Sequence, residues 1–117
     1  MADGVDAINA YFAAIRARDA ATLGDLFTDD AELVTAAGTF TGRDAIVAFY
    51  RDLAFAIDDL RPDPGPFIVD GDRVAVEIRL RMGGTTTLVG DVFTLERGRI
   101  ARVAIYSGPQ FTDTHTE

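Results

Sequence analysis

Residues 73–95 read RVAVEIRLRMGGTTTLVGDVFTL. Two runs rich in β-formers flank Gly83-Gly84, the pattern of a hairpin closed by a two-residue turn. Such a turn sets the register. Met82 pairs with Thr85, Leu80 with Thr87, Ile78 with Val89, Val76 with Asp91, and Val74 with Phe93. These residues share one face, because strand neighbours point to opposite sides. The other face carries Arg81 with Thr86, Arg79 with Leu88, and Glu77 with Gly90. One face is therefore apolar and the other polar, and Asp91 falls on the apolar one. A turn one residue longer would reverse the assignment.

A carboxylate among hydrocarbon side chains is costly unless something compensates its charge. Asp91 has three ways out. It can accept hydrogen bonds from Tyr11 and Tyr50, take up a proton as desolvation raises its pKa, or face a wet cavity. Each outcome puts a polar spot in an apolar pocket, the usual form of a small-molecule site.

Working outward, Gly71-Asp72 and Arg97-Gly98 read as turns to flanking strands at 67–70 and 99–107. The Pro-rich stretch Arg61-Pro62-Asp63-Pro64-Gly65-Pro66 reads as an internal loop. The first half is helical in pattern. Val5, Ile8, Tyr11, Phe12 and Ile15 form one stripe over residues 4–18, with Asp3 as its cap. Asp19 caps a second short helix with Leu23, Leu26 and Phe27 on its apolar face, ending at Thr28-Asp29-Asp30. A strand over 31–36 turns at Gly38. Thr41-Gly42-Arg43-Asp44 fits a capping box. Behind it Ile46, Phe49, Tyr50, Leu53 and Ile57 mark a third helix of about ten to fifteen residues. Helices first and antiparallel strands afterwards make an α+β fold with helices on one face of a sheet.

The chain has 117 residues, the size of one domain spanning 1–117. Polar termini such as its tail, about 109–117, are often disordered. A net charge of −8 argues against nucleic acid and against an anionic membrane surface. The start lacks a signal-peptide pattern, and no apolar run is long enough to span a bilayer, so a cytoplasmic location is expected. Cysteine is absent, every basic residue is arginine, and His115 in the tail is the only histidine. That inventory excludes a His/Cys metal cage, a thiolate nucleophile and a lysine Schiff base. Neither Walker A nor G-x-G-x-x-G occurs. No cofactor and no metal are expected. Aspartate, glutamate, tyrosine and arginine remain for chemistry.

Several segments together carry a resemblance. They are Tyr11 in the first helix, Asp19, Leu26-Phe27-Thr28-Asp29-Asp30-Ala31, Gly42-Arg43-Asp44-Ala45-Ile46-Val47-Ala48-Phe49-Tyr50-Arg51, and Asp91-Val92 ahead of Gly98-Arg99-Ile100. In these the sequence resembles the ketosteroid isomerase branch of the nuclear transport factor 2-like (NTF2-like) superfamily, which includes the SnoaL-type polyketide cyclases. The resemblance implies a cone-shaped fold, with three N-terminal helices packed on a curved, mostly antiparallel sheet that encloses an apolar pocket. In the isomerases a tyrosine and a protonated aspartate hold the oxyanion while a second aspartate is the base. By the resemblance Tyr11 takes the place of the tyrosine, Asp91 that of the protonated aspartate, and Tyr50 that of a supporting tyrosine. The position of the base falls on Thr35, whose hydroxyl is far too weak to abstract a carbon-bound proton. In the SnoaL-type cyclases a late-strand aspartate near the position of Asp91 resembles a general acid/base.

The resulting expectation is a small-molecule enzyme that enolises or isomerises an apolar ring ketone, with Tyr11 and Asp91 as catalytic residues. Phe27, Thr35, Phe49, Tyr50, Val76, Ile78, Val89, Phe93, Val103 and Ile105 are expected to line the site, with Val74 beside them. The rival is a non-catalytic ligand-binding or dimerisation domain of the same fold. A homodimer is expected through an outer-face patch of Leu88, Val92, Ile100, Ala104 and Tyr106.

Overall fold

The computed structural model describes residues 3–112. The elements run α1 (Asp3–Ala17), α2 (Ala20–Asp25), β1 (Phe27–Thr35), β2 (Gly38–Thr41), α3 (Arg43–Phe49), a π-helical turn (Tyr50–Ala54), β3 (Arg61–Asp70), β4 (Arg73–Met82), β5 (Thr85–Glu96) and β6 (Arg99–Thr112). The strands form one curved, open six-stranded sheet in the order β2-β1-β6-β5-β4-β3. Only β1 and β6 pair in parallel. Three helices pack on the sheet, as the sequence pattern predicts. No described helix is long and apolar enough to cross a membrane.

The hairpin β4–β5 has the register read from its turn, from Met82↔Thr85 through Val76↔Asp91 to Val74↔Phe93. Gly83 and Gly84 have φ of 61° and 76°, both left-handed, as a type I′ turn requires. The inner face of this hairpin is buried beneath the helices. Val74, Val76, Ile78, Val89, Phe93 and Leu95 all belong to the core.

Helix starts and stops follow local chemistry. Asp19 caps α2, its carboxylate accepting from the Thr22 backbone N–H at 3.1 Å and from the Thr22 hydroxyl at 2.7 Å. These bonds hold its pKa below the usual carboxylate range. The expected cap of the first helix, Asp3, has no described side chain. α1 ends in a Schellman motif, with Arg18 N donating to Ile15 O at 3.1 Å and Asp19 N to Ala14 O at 2.9 Å. Arg18 sits there with φ 54°, the left-handed position that glycine usually takes.

Five expectations need correction. The capping box at Thr41–Asp44 does not form: Gly42 is the cap of α3, at φ 94°, with no side-chain cap bond. α2 stops before Leu26, and Phe27 already begins β1, where its backbone meets Ile100 of β6. The Pro-rich stretch 61–66 is not a loop but the first half of β3. β3 is an edge strand, paired only with β4, where prolines without an N–H are tolerated. β6 runs on to Thr112, paired with Thr85, so residues 109–112 belong to the sheet. The rest of the expected tail, with His115, lies outside the described residues. Finally, Ile100 and Ala104 are fully buried, which leaves Leu88, Val92 and Tyr106 of the expected outer patch. A register shift between Thr94 and Leu95 turns Ile100 inward opposite Leu95.

Candidate active site

The inner face of the sheet is divided in two by what lies above it. Over one half, α1 lays down an aromatic layer. The Tyr11 ring meets Phe27 and Phe93 edge-on, with centroids 6.2 and 5.2 Å apart, and Phe12 meets Phe93 at 6.2 Å and Phe67 at 6.5 Å. This half is solid core: Phe27, Phe93 and Val103 are fully buried, and Val74 and Val76 nearly so. The other half is left uncovered. There a cavity of about 320 Å³ opens between the sheet and the segment after α3. Its walls come from Ile78, Leu80 and Met82 of β4, Val89 of β5 and Ile105 of β6. Phe49, Leu53, Ala54, Ile57 and Leu60 close it from the helix side.

Asp91 stands where the two halves meet. It lines the cavity, yet it is only 3 % exposed. Among the described residues its Oδ1 is the only buried carboxylate oxygen without a hydrogen-bond partner. Burial pushes its carboxyl up to about 7. The cause is desolvation, which disfavours the charged form of a carboxyl.

Tyr11 and Tyr50 reach the same place from two helices. Their hydroxyls hydrogen-bond to each other, and either can be the donor. Both rings are buried, and both residues line the cavity. Burial raises the Tyr11 hydroxyl well above its ordinary value, and the proximity of Tyr50 and Asp91 raises it further. Burial raises Tyr50 too; its bond to Tyr11 pulls the other way, and Asp91 adds to the rise. Both phenols therefore stay protonated near neutrality and act as donors. When Tyr50 donates to Tyr11, the hydrogen of Tyr11 is left for a ligand. Tyr50 opens the π-helical turn, where Phe55 N donates to Tyr50 O at 2.7 Å. Such bulges recur at functional sites, because the extra residue re-aims the side chains beyond it.

Of the expected lining residues, Thr35, Phe49, Tyr50, Ile78, Val89 and Ile105 border the cavity. Phe27, Val76, Phe93 and Val103, with Val74, do not; they are buried in the core, Phe27 and Phe93 against the rings of α1. Thr35 lines the rim with its hydroxyl already spent: Oγ1 donates to Gly38 O at 3.1 Å and accepts from Ala37 N at 3.0 Å. It is a turn residue and supplies no base. Among the described residues Asp91 is the only carboxylate in the wall. Leu80 and Met82 are not among the expected lining residues, although the two-residue period places both on the face of Ile78. Leu53, Ile57 and Leu60 also belong to the wall, brought there by the π-helical turn and by the pairing of β3.

The model of the SnoaL-like domain family matches residues 8–103. Among solved structures, a candidate polyketide cyclase from Sinorhizobium meliloti is similar at 29% identity and a TM-score of 0.78, over 86% of this chain and 93% of that one. A candidate ketosteroid isomerase from Kribbella flavida is similar at 17% identity and a TM-score of 0.83, over 92% and 78%. TerC, co-crystallised with polyporic acid, is similar at 24% identity and a TM-score of 0.79, over 91% and 92%. Among curated proteins none matches.

Proposed function

We propose, from the premise that the chain belongs to the SnoaL-like domain family, that it is an enzyme which enolises or isomerises an apolar ring ketone. Asp91 moves the proton and Tyr11 holds the oxygen. One observation carries this reading: a buried carboxylate oxygen with no partner, set in a wall of hydrocarbon beside two linked phenols. A purely structural aspartate would have its oxygens satisfied by the fold.

The chemistry comes from the inventory. The substrate carbonyl accepts the Tyr11 hydrogen while Tyr11 accepts from Tyr50. Ionised Asp91 takes a proton from the carbon next to the carbonyl. The C–H electron pair becomes the enolate, its negative oxygen facing Tyr11. Asp91, now neutral, returns the proton to the same or a conjugated carbon, so atoms and charge balance with no external acid. A carboxyl at about 7 suits a base working near neutrality. Because no other carboxylate among the described residues lines the cavity, this reading gives Asp91 both halves of the transfer. The hydrocarbon around the buried phenols lowers the local dielectric, so Tyr11 acts on the developing charge more strongly than it would in water. Similarity to the candidate polyketide cyclase supports the reading, since closing a ring on a ketone also begins with an enol or enolate.

The test is proton exchange on a simple fused-ring ketone. With 2-tetralone in deuterated buffer at pH 7, NMR should show protein-catalysed loss of the α-protons. Asp91→Asn should slow it about 10²–10⁴-fold, the range of a lost general base. Tyr11→Phe should slow it about 10²-fold, the lower end for a lost oxyanion donor. Exchange no faster than buffer, or unchanged in Asp91→Asn, contradicts the reading and favours a domain that only binds.

A further inference from the structure

The proposed chemistry leaves the arginines unused. The chain holds eleven basic residues, all arginine. Four of them line one surface cleft of about 540 Å³: Arg16 and Arg18 from the end of α1, Arg61 at the start of β3, and Arg81 near the end of β4. Arg61 and Arg81 are direct cross-strand partners. Like charges set opposite each other in a ladder are destabilising. Among the described residues none of the four forms an ion pair; the pairs are Arg43–Asp29, Arg51–Asp52 and Arg102–Glu32.

Two carboxylates share the cleft without neutralising it. Asp58 is beyond ion-pair distance from every arginine, and Asp59 spends its Oδ2 on the Gly83 backbone N–H at 2.7 Å. Four guanidinium groups against two carboxylates leave an excess of two positive charges, on a chain whose net charge is −8. Arg18 shows that the fold accepts strain at this spot. It holds a left-handed backbone at φ 54°, while its Nη2 donates to the carbonyls of Ile57 at 2.6 Å and Asp58 at 2.8 Å, with Leu60 O at 3.4 Å.

We propose that this cleft is a binding site for a phosphate dianion, either free or as the monoester of a small molecule. Two unbalanced positive charges match a dianion, and guanidinium forks match phosphate oxygens in pairs. The site is distinct from the cavity but stands directly behind its wall. Leu60 lines both, and Arg18 grips the carbonyls of the segment that carries Ile57 and Leu60. A bound phosphate that draws on Arg18 is therefore sensed on the cavity side.

The test titrates the intact protein at pH 8 with inorganic phosphate and, separately, with glycerol 3-phosphate, against sodium chloride at matched ionic strength. Amide resonances of residues 16–18, 58–61 and 81 should shift and saturate. Tm should rise by about 2–5 °C near saturation, as expected when a ligand binds only the folded state. Arg81→Gln should raise Tm slightly without phosphate, because a repulsion is gone, and should lose most of the phosphate-induced rise. This exposed residue lies outside the proposed catalytic wall, so exchange on 2-tetralone should persist in the variant, separating the two proposals. Tighter binding of the ester assigns the site to a phosphorylated metabolite, and tighter binding of inorganic phosphate to the free ion. Shifts that track ionic strength alone, or an undiminished phosphate response in Arg81→Gln, overturn the proposal.

Discussion

The two halves of the β4–β5 inner face are alike in composition and different in fate. Val74, Val76, Phe93 and Leu95 are buried and closed off, Phe93 directly against Tyr11 and Phe12 of α1. Ile78, Leu80, Met82 and Val89 carry on the same face, along the same two strands, into an open cavity. What differs is only the cover. α1 fills the first half with rings, whereas the chain after α3 stands away from the second. Asp91 is at the seam. The filled half removes its water, and the open half brings the cavity up to its side chain. A site of this kind needs both conditions, because burial alone would trap the carboxyl and exposure alone would leave it an ordinary acid.

The largest effect is expected on the filled side. Phe93→Ala should cost about 3–5 kcal/mol of stability in urea unfolding, the range for an aromatic removed from a core. Little loss there would mean that the aromatic layer is not closely packed.

At the seam, the expected effect is up to about 4 kcal/mol and depends on pH. Below about pH 4, Asp91 is protonated in both the folded and unfolded states, and burying a neutral acid carries little penalty. As pH rises from there to about 7, the folded chain keeps a proton that the unfolded chain has lost. Stability therefore falls across that window and stays low above it. Tyr11 and Tyr50, the titratable groups that face Asp91, remain protonated throughout. Asp91→Asn should remove this fall and be the more stable protein at pH 8. Equal pH slopes for variant and parent, measured by urea unfolding at pH 5 and pH 8, would remove desolvation as the cause.

On the open side the expected effect is smallest. Leu80→Ala should cost about 1 kcal/mol or less in stability, because the side chain is only half-buried. It should raise KM for a ring ketone a few-fold and leave kcat almost unchanged, as expected when uniform binding surface is lost. A large fall in kcat would move the chemistry away from the Asp91 end.

The hairpin register could be read residue by residue because Gly83-Gly84 permits few turn geometries, and through it Asp91 could be placed on the inner face. Tyr11 and Tyr50 could be placed by helical spacing. The sequence pattern could not say which inner-face residues are covered. Alternation assigns a face, and only tertiary packing decides whether a helix lies over it; hence Phe27, Val76, Phe93 and Val103 are core rather than cavity. The prolines of residues 61–66 signalled a break because propensity is local, whereas an edge strand asks for a partner on one side alone. Ile100 misled for a similar reason: a single bulge inverts the alternation, and nothing in Arg99-Ile100-Ala101 marks it.

The central claim is that the Asp91 carboxyl is dry and unpartnered at the cavity wall. Its carboxyl carbon, tracked by NMR in ¹³C-labelled protein and assigned by its absence in Asp91→Asn, reports this directly. A single titration centred at about 7 is expected. A midpoint at about 4, the value of a solvated aspartate, would contradict it.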